Sequence, residues 1–246
     1  LAALKWLNFD KILEAAGFNP NQRTVAMASV IGRMGQPGSE RRTWNWVREE
    51  SALGELLDVD FENTPLTSFY RVSDQLVAKR EQIEKSLFSN ISSLFSLQTT
   101  VTLFDLTNTF FEGEIAGNAK AKRGRSKEKR TDCKLVTLAM VLDGSGFVKR
   151  SRMFEGNISE GKTLQEMLAD LQAPQGALVI MDRGIAIKDN IEWLAEQGYR
   201  YLVVSRERSR EIDLSKAETI RNASGAEIHI ERHDDAETGD VYLRCQ

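Results

Sequence analysis

The sequence predicts an α/β protein in which a mixed sheet of β-β-β-α-β-α-β order follows an all-helical N-terminal region. Three observations carry that expectation. Apolar residues recur at helical steps from Leu1 to about Gln98. Strict alternation begins abruptly at Val101–Phe111, with Thr102, Phe104 and Leu106 on one face and Val101, Leu103 and Asp105 on the other. Beyond it, strand-like runs first follow one another and then alternate with helical stretches, which gives an antiparallel meander extended by parallel strands through crossovers.

The helical region divides into several amphipathic stretches. Leu4, Leu7, Ile12 and Leu13 form the first, closed by Gly17 and Pro20. Val25, Met27, Val30 and Ile31 form the second, stopped by Gly35-Gln36-Pro37-Gly38. A third starts after Ser39 and carries Trp44, Val47, Leu53, Leu56 and Leu57. Thr64-Pro65 then reads as an N-cap and first-turn proline for one long helix through Phe69, Leu76, Ile83, Leu87, Ile91, Leu94 and Phe95, leading into the Val101 strand. Two uses fit residues 1–98. Arg41, Arg42 and Arg48 could read DNA from a helix-turn-helix, or Trp44 and Trp46 could be core of a packing or dimerisation region.

Asp105 interrupts an apolar strand, and Ala177–Met181 runs directly into Asp182-Arg183-Gly184. A carboxylate carried by each of two apolar strands is the pattern of a shared divalent-metal site, because such a group needs a cation, a donor or a proton. Taken singly, Asp105 can equally be a satisfied structural acid and Asp182 a helix cap.

Between these strands lies Gly117–Arg130, which carries Lys120, Lys122, Arg123, Arg125, Lys127, Lys129 and Arg130 against Glu128 alone. With nothing apolar larger than alanine it is expected to stay unburied and mobile. Its place after the Asp105 strand suits a polyanion, and DNA phosphates are the expected partner. The net charge of −3 opposes this only weakly, since clustering matters more than the total.

The remaining elements follow in order. Lys134–Leu142 and Phe147–Phe154 are strands joined at Asp143-Gly144-Ser145-Gly146. After the Glu155–Ser159 loop, Thr163 and Glu166 have capping-box spacing ahead of a helix with Leu164, Met167, Leu168 and Leu171 buried. The Ala177 strand, a helix over about Lys188–Gln197 capped by Gly198, and the strand Tyr199–Ser205 complete the sheet. Farther on, Ile228 with Ile230 and Val241 with Leu243 alternate as strands. His229 and His233 read as surface residues without a zinc arrangement. Cys133 and Cys245 lack metal-ligand spacing and suggest a reducing, cytoplasmic setting. The 246 residues contain no run of membrane-helix length and no signal peptide. The chain starts at Leu1 and stops after the strand-like VYLRC, as a piece of something longer would.

The segments LFDLTNTFFEG, TDCKLVTLAMVLDGSGF, FEGNISEGKTL, VIMDRGIA and GYRYLVVSR, with the basic segment between the first two, resemble the DDE transposases of bacterial insertion sequences. The resemblance is closest to the group with a β-rich insertion before its final Glu. It spans Leu97 to about Arg206, and SERRTWNWVREESALGELL is similar to the helical N-terminal part of these enzymes. It implies a ribonuclease H-like core over 99–206, the start of the insertion over 207–246, and a nucleoid-associated bacterial protein. It also implies double-stranded DNA, at transposon ends and target, as partner of a homodimer. Asp105 and Asp182 match the first two metal-binding acids, and Arg183 sits where many members have a base. The implied reaction is phosphodiester hydrolysis and strand transfer with two Mg²⁺ or Mn²⁺ ions, Asp105 bridging both and Asp182 completing one. The third acid, a helical Glu, has no match before Gln246; Glu227 and Glu231 fall in strand-like sequence. The fragment alone is therefore expected to be inactive. Asn157 and Lys162 could touch DNA or simply shape a loop. The rival readings are a non-catalytic DNA-binding or assembly protein and a ribonuclease H-like nuclease without strand transfer.

Overall fold

The computed structural model describes residues 1–95, 97, 101–113, 115–124, 130–169, 171, 173–204, 211–236 and 239–246. The chain forms two compact units, Leu1–Val203 and Val204–Gln246.

The first unit opens with helices α1 (Ala2–Trp6), α2 (Phe9–Ala15), α3 (Pro20–Gly35), α4 (Glu40–Glu49), α5 (Leu53–Leu57), α6 (Leu66–Ala78) and α7 (Arg80–Phe95). Leu13, Phe18, Ala26, Val47, Phe69 and Val72 form their common core. Helix α3 starts with a reciprocal capping box between Asn19 and Gln22, with Pro20 in its first turn. It packs closely on α4, since a Cβ at Gly32 would collide with the Thr43 methyl.

Three apolar stretches that read as single helices are broken. Asn8 takes a left-handed conformation (φ 51°) and separates α1 from α2. Residues Glu50–Ala52 separate α4 from α5, and Lys79 separates α6 from α7. In each case both helices turn their apolar stripe to one core, so the hydrophobic period runs on through the break. Pro65, rather than Thr64, is the N-cap of α6, and the Thr64 carbonyl instead accepts the Trp44 indole N–H at 2.7 Å. Arg41 and Arg42 are exposed, whereas the Arg48 guanidinium lies 4.2 Å over the Trp44 ring.

The sheet consists of β1 (Val101–Phe111), β2 (Lys134–Asp143), β3 (Val148–Glu155), β4 (Leu178–Met181) and β5 (Arg200–Val203), in the order β3-β2-β1-β4-β5. Strands β1, β2 and β3 are antiparallel neighbours, while β4 pairs in parallel with both β1 and β5. This is the β-β-β-α-β-α-β order expected of the mixed sheet. One face is covered by α8 (Leu164–Leu168) and α9 (Lys188–Glu196), burying Phe104, Leu106, Val141, Val179 and Met181. The Asp143 carboxylate closes the β2–β3 hairpin by accepting the N–H groups of Ser145 and Phe147.

Two local expectations fail. Thr163 and Glu166 form no capping box. A 3-10 turn over Glu160–Lys162 precedes α8, which leaves Thr163 itself helical rather than extended; its hydroxyl bonds the Glu160 carbonyl, and Glu166 pairs with Arg152. The start of the basic segment, around Lys120–Lys122, is also less free than its composition implies. Lys122 exchanges both backbone hydrogen bonds with Leu135, Ala121 is buried, and Gly156 donates its N–H to the Lys120 carbonyl. Paired backbone compensates for the missing apolar side chains.

The second unit is a three-stranded antiparallel sheet of β6 (Glu218–Arg221), β7 (Glu227–Asp234) and β8 (Val241–Cys245). Among the described residues no helix is long and apolar enough to cross a membrane.

Candidate functional site

Asp105 lies in the central strand of the five-stranded sheet, between the buried side chains of Phe104 and Leu106. Side chains alternate along a strand, so Asp105 points from the face opposite α8 and α9, and it is exposed. Burial of its two neighbours is what fixes its direction. A one-residue slip would bury the carboxylate and expose two large apolar groups.

Asp182 directly follows β4. The last registered pair between the two strands is Phe104 with Met181. Asp105 and Asp182 are thus the next residue on each of two parallel neighbours, whose spacing is roughly 4.8 Å. Both are exposed. Asp182 also organises its own turn: its carboxylate accepts the Arg183 N–H at 2.6 Å, and its carbonyl accepts those of Ile185 and Ala186.

That turn is secured from behind by residues the sequence did not single out. Asn190 of α9 is buried, and its amide donates to the Ile185 carbonyl at 2.8 Å and the Gly161 carbonyl at 2.7 Å. The Glu160 carboxylate lies so close to Gly184 that a Cβ there would collide with it. The turn bearing Asp182 and the 3-10 turn Glu160–Lys162 are therefore one fastened piece. A signal for Asn190 was present, since it stands four residues before Leu194 on the apolar face of a clearly helical stretch. Nothing in the sequence marks Glu160 as the residue that meets Gly184.

Of the expected phosphate-binding bases, Lys120, Lys122 and Arg123 are exposed at the end of the sheet where β1 and β3 finish. Arg125, Lys127 and Lys129 lie outside the described residues. Arg130 is engaged with Asp132 at 2.7 Å and Glu112 at 3.2 Å, and stacks 5.0 Å from the Phe110 ring centre. Hydrogen bonds from Arg130 hold the Asp132 carboxyl far below the usual range, and the same contacts push the guanidinium upward. Burial, more than any neighbour, raises the Cys133 thiol and keeps it protonated beside them. Arg183 is exposed next to Asp182.

Both strand-borne glutamates have partners within the second unit. Glu231 is spent within the second unit, accepting the Asp213 N–H at 3.0 Å and Arg244 at 3.4 Å, and Glu227 pairs with Arg221. Among the described residues no group of three His, Cys, Asp or Glu side chains is arranged to hold a metal ion. His229 bonds the Thr219 hydroxyl, and His233 is exposed.

A family model described as a transposase DDE domain matches residues 97–245. No curated protein matches the chain. Among solved structures, the Mos1 transposase paired-end complex with left transposon end aligns with 13% identity and a TM-score of 0.30, over 76% of this chain and 60% of that one. The piggyBac transposase synaptic complex with hairpin DNA aligns with 10% identity and a TM-score of 0.43, over 92% and 52%. A Mos1 mariner paired-end complex with Mg gives 13% identity and 0.28, over 75% and 59%. The chain thus spans between about half and three fifths of the length of these structures.

Proposed function

The chain belongs to the transposase DDE domain family, and on that premise we propose that Asp105 and Asp182 are two metal-holding carboxylates of a DNA transposase that cuts and joins phosphodiesters at transposon ends. The observation that carries the assignment is their shared position, one step past the Phe104–Met181 pair on adjacent parallel strands. Both groups are exposed, and carboxylate oxygens are hard donors, which suits Mg²⁺ or Mn²⁺. When bound, a pair of such ions supplies activation of the attacking oxygen and stabilisation of the leaving one in an in-line displacement at phosphorus.

The chain's own part is to hold the two carboxylates. The buried neighbours Phe104 and Leu106 aim Asp105, and the Asn190-fastened turn holds Asp182 in place. Arg183, Lys120, Lys122 and Arg123 would neutralise phosphates on either side of the reacting one. Arg125, Lys127 and Lys129 are proposed for the same role from the sequence. Arg130, committed to Asp132 and Glu112, instead fixes the end of the β1–β2 ladder. The enzyme would work as a homodimer on its two DNA ends.

Mn²⁺ titration followed by electron paramagnetic resonance tests this reading. The chain should bind Mn²⁺ weakly, and Asp105→Asn or Asp182→Asn should each abolish binding. Retention of Mn²⁺ by the double variant would remove the assignment. It would leave the non-catalytic DNA-binding reading in its place.

A further inference from the structure

The three-stranded sheet of the second unit has two unlike edges. At one edge, β6 is four residues long, with exposed Glu218 and Arg221 at its ends. Short length and charge keep a strand edge from pairing with another chain. At the opposite edge, β8 carries one charge, Arg244, whose guanidinium bonds Glu231 at 3.4 Å. Among the described residues, β7 is the only strand beside β8.

The register shows what this edge offers. His229 and Gln246 exchange both backbone hydrogen bonds, and such pairs recur at every second residue of an antiparallel ladder. Arg244 and Tyr242 therefore turn their N–H and C=O groups toward Glu231 and His233, whereas Val241, Leu243 and Cys245 turn theirs outward. The side chains of those three share one face, and all three are exposed. Ile220, Ile228 and Ile230 continue the same apolar face across the sheet. Arg232 and Asp234, paired with each other at 2.8 Å, close it at one end.

The outward groups are spaced symmetrically about Leu243, so the edge is complementary to itself. A two-fold axis through the sheet at Leu243 sets that residue against Leu243 of a second copy, and Val241 against its Cys245. Each facing pair then exchanges both hydrogen bonds, and the apolar face runs on across the junction. Neighbouring registers do worse. A shift toward Cys245 opposes Arg244 to Arg244 of the second copy. A shift toward Val241 runs Cys245 into the turn at Gly239, whose φ is 75°.

We propose that β8 is the docking edge for a second copy of this chain, the two strands pairing antiparallel about Leu243. The proposal rests on the homodimer reading above and gives it an interface. So short an edge buries less than the roughly 1,200 Å² of a stable interface, so the dimer is weak, with a dissociation constant on the order of 10–500 µM.

Sedimentation velocity over a concentration series, joined to disulfide trapping, tests the edge. Leu243→Pro removes an outward N–H while leaving the bonds to β7 whole, and Leu243→Lys sets like charges directly opposite. Each should weaken dimerisation at least about tenfold, with thermal unfolding confirming that the variant is folded. In a Cys133→Ser background, Val241→Cys should form a covalent dimer through Cys245 on exposure to oxidised glutathione. Facing Cα atoms of a hydrogen-bonded pair lie about 5.5 Å apart, within disulfide reach. Positions 241 and 245 of one chain are roughly 13 Å apart and cannot bridge. Cys133→Ser alone, whose Cys245 faces a valine, should give no covalent dimer. Wild-type dimerisation in both Leu243 variants would place the contact elsewhere, refuting the edge and leaving the homodimer reading standing. Trapping through Cys245 alone, as fast as with Val241→Cys, would refute the two-fold register. A wild-type chain that is monomeric at about 1 mM would overturn the edge, and one that is monomeric on duplex DNA as well would overturn the homodimer with it.

Discussion

The Glu84 carboxylate of α7 accepts both the backbone N–H, at 2.9 Å, and the hydroxyl of Ser151 on β3. Because β3 is an outer strand of the sheet, that N–H would otherwise face solvent or another chain. Arg150 with Glu81, Lys149 over the Phe88 ring, and Phe95 stacked on Phe147 continue the contact along the helix. The last N-terminal helix is thereby bound to the strand edge rather than left as a separate module. Glu84→Ala should lower stability by about 1–3 kcal/mol, the worth of part-buried hydrogen bonds to a charged acceptor. It should also promote self-association through β3. Urea unfolding and sedimentation velocity measure the two effects, and an unaltered urea midpoint would show that α7 merely lies beside the strand.

The two aspartates should separate metal binding from DNA binding. Asp105→Asn leaves the strand's shape and burial pattern alone but removes a charge from the carboxylate pair. Loss of Mn²⁺ binding with duplex affinity unchanged or slightly raised is the expected result, since phosphate contacts come from the basic side chains. A large fall in duplex affinity would mean that Asp105 has another role. In a longer protein supplying a helical Glu, the same change should abolish Mg²⁺-dependent cleavage.

Bases within one cluster should behave differently. Lys122→Gln and Arg123→Gln remove exposed charges, so each should reduce the salt slope of DNA binding by about 0.9. Arg130→Gln should cost folding stability instead, because it leaves Asp132 and Glu112 without their cation, and should change the slope little. Urea unfolding alongside the salt titration distinguishes the cases. A full slope loss for Arg130→Gln would place that side chain on DNA.

Much of this was legible in the sequence, for identifiable reasons. Strand β1 declares itself because only a two-residue period places Phe104 and Leu106 together and Asp105 opposite. The Asp182 turn follows an apolar run too short to be a helix. Helix boundaries were less accessible: Asn8 and Lys79 break the chain without a Gly or Pro, and the apolar stripes stay in phase across them. Composition misjudged the stretch around Lys120–Arg123, since its ordering comes from backbone pairing with Leu135 and the close approach of Gly156, which no side-chain count records. Contacts between distant segments, such as Glu84 with Ser151 or Asn190 with Gly161, have no local signature at all.

Asn190 supplies a direct test of the fastening behind Asp182. Asn190→Ala strips the Ile185 and Gly161 carbonyls of a buried donor and leaves a small void. A cost of about 2–3 kcal/mol is expected in urea unfolding. Mn²⁺ affinity should fall in the same variant at temperatures where it remains folded, because the Asp182 turn is freed. Unchanged Mn²⁺ affinity in a destabilised variant would make Asn190 a packing residue only.

The second unit should have its own acid limit, set by Glu231. Its carboxyl is held below the usual range chiefly by the Asp213 N–H it accepts; burial pushes it upward, and Arg244 then lowers it further. Because the folded value lies below the unfolded one of about 4.3, this interaction contributes its full stability above that pH. The contribution is lost as pH falls through the depressed folded value, when the protonated group no longer holds the donor and the guanidinium as strongly. Asp213 adds in the same direction, since the Ser215 hydroxyl and then Lys216 also lower its carboxyl. Amide protection factors along β7 should therefore decline as pH falls below the unfolded value of about 4.3 and through the depressed folded one. Glu231→Gln, which cannot titrate, should start with lower protection at neutral pH and show a shallower decline. Parallel declines in the wild type and Glu231→Gln would mean that other carboxylates set the acid limit of this unit.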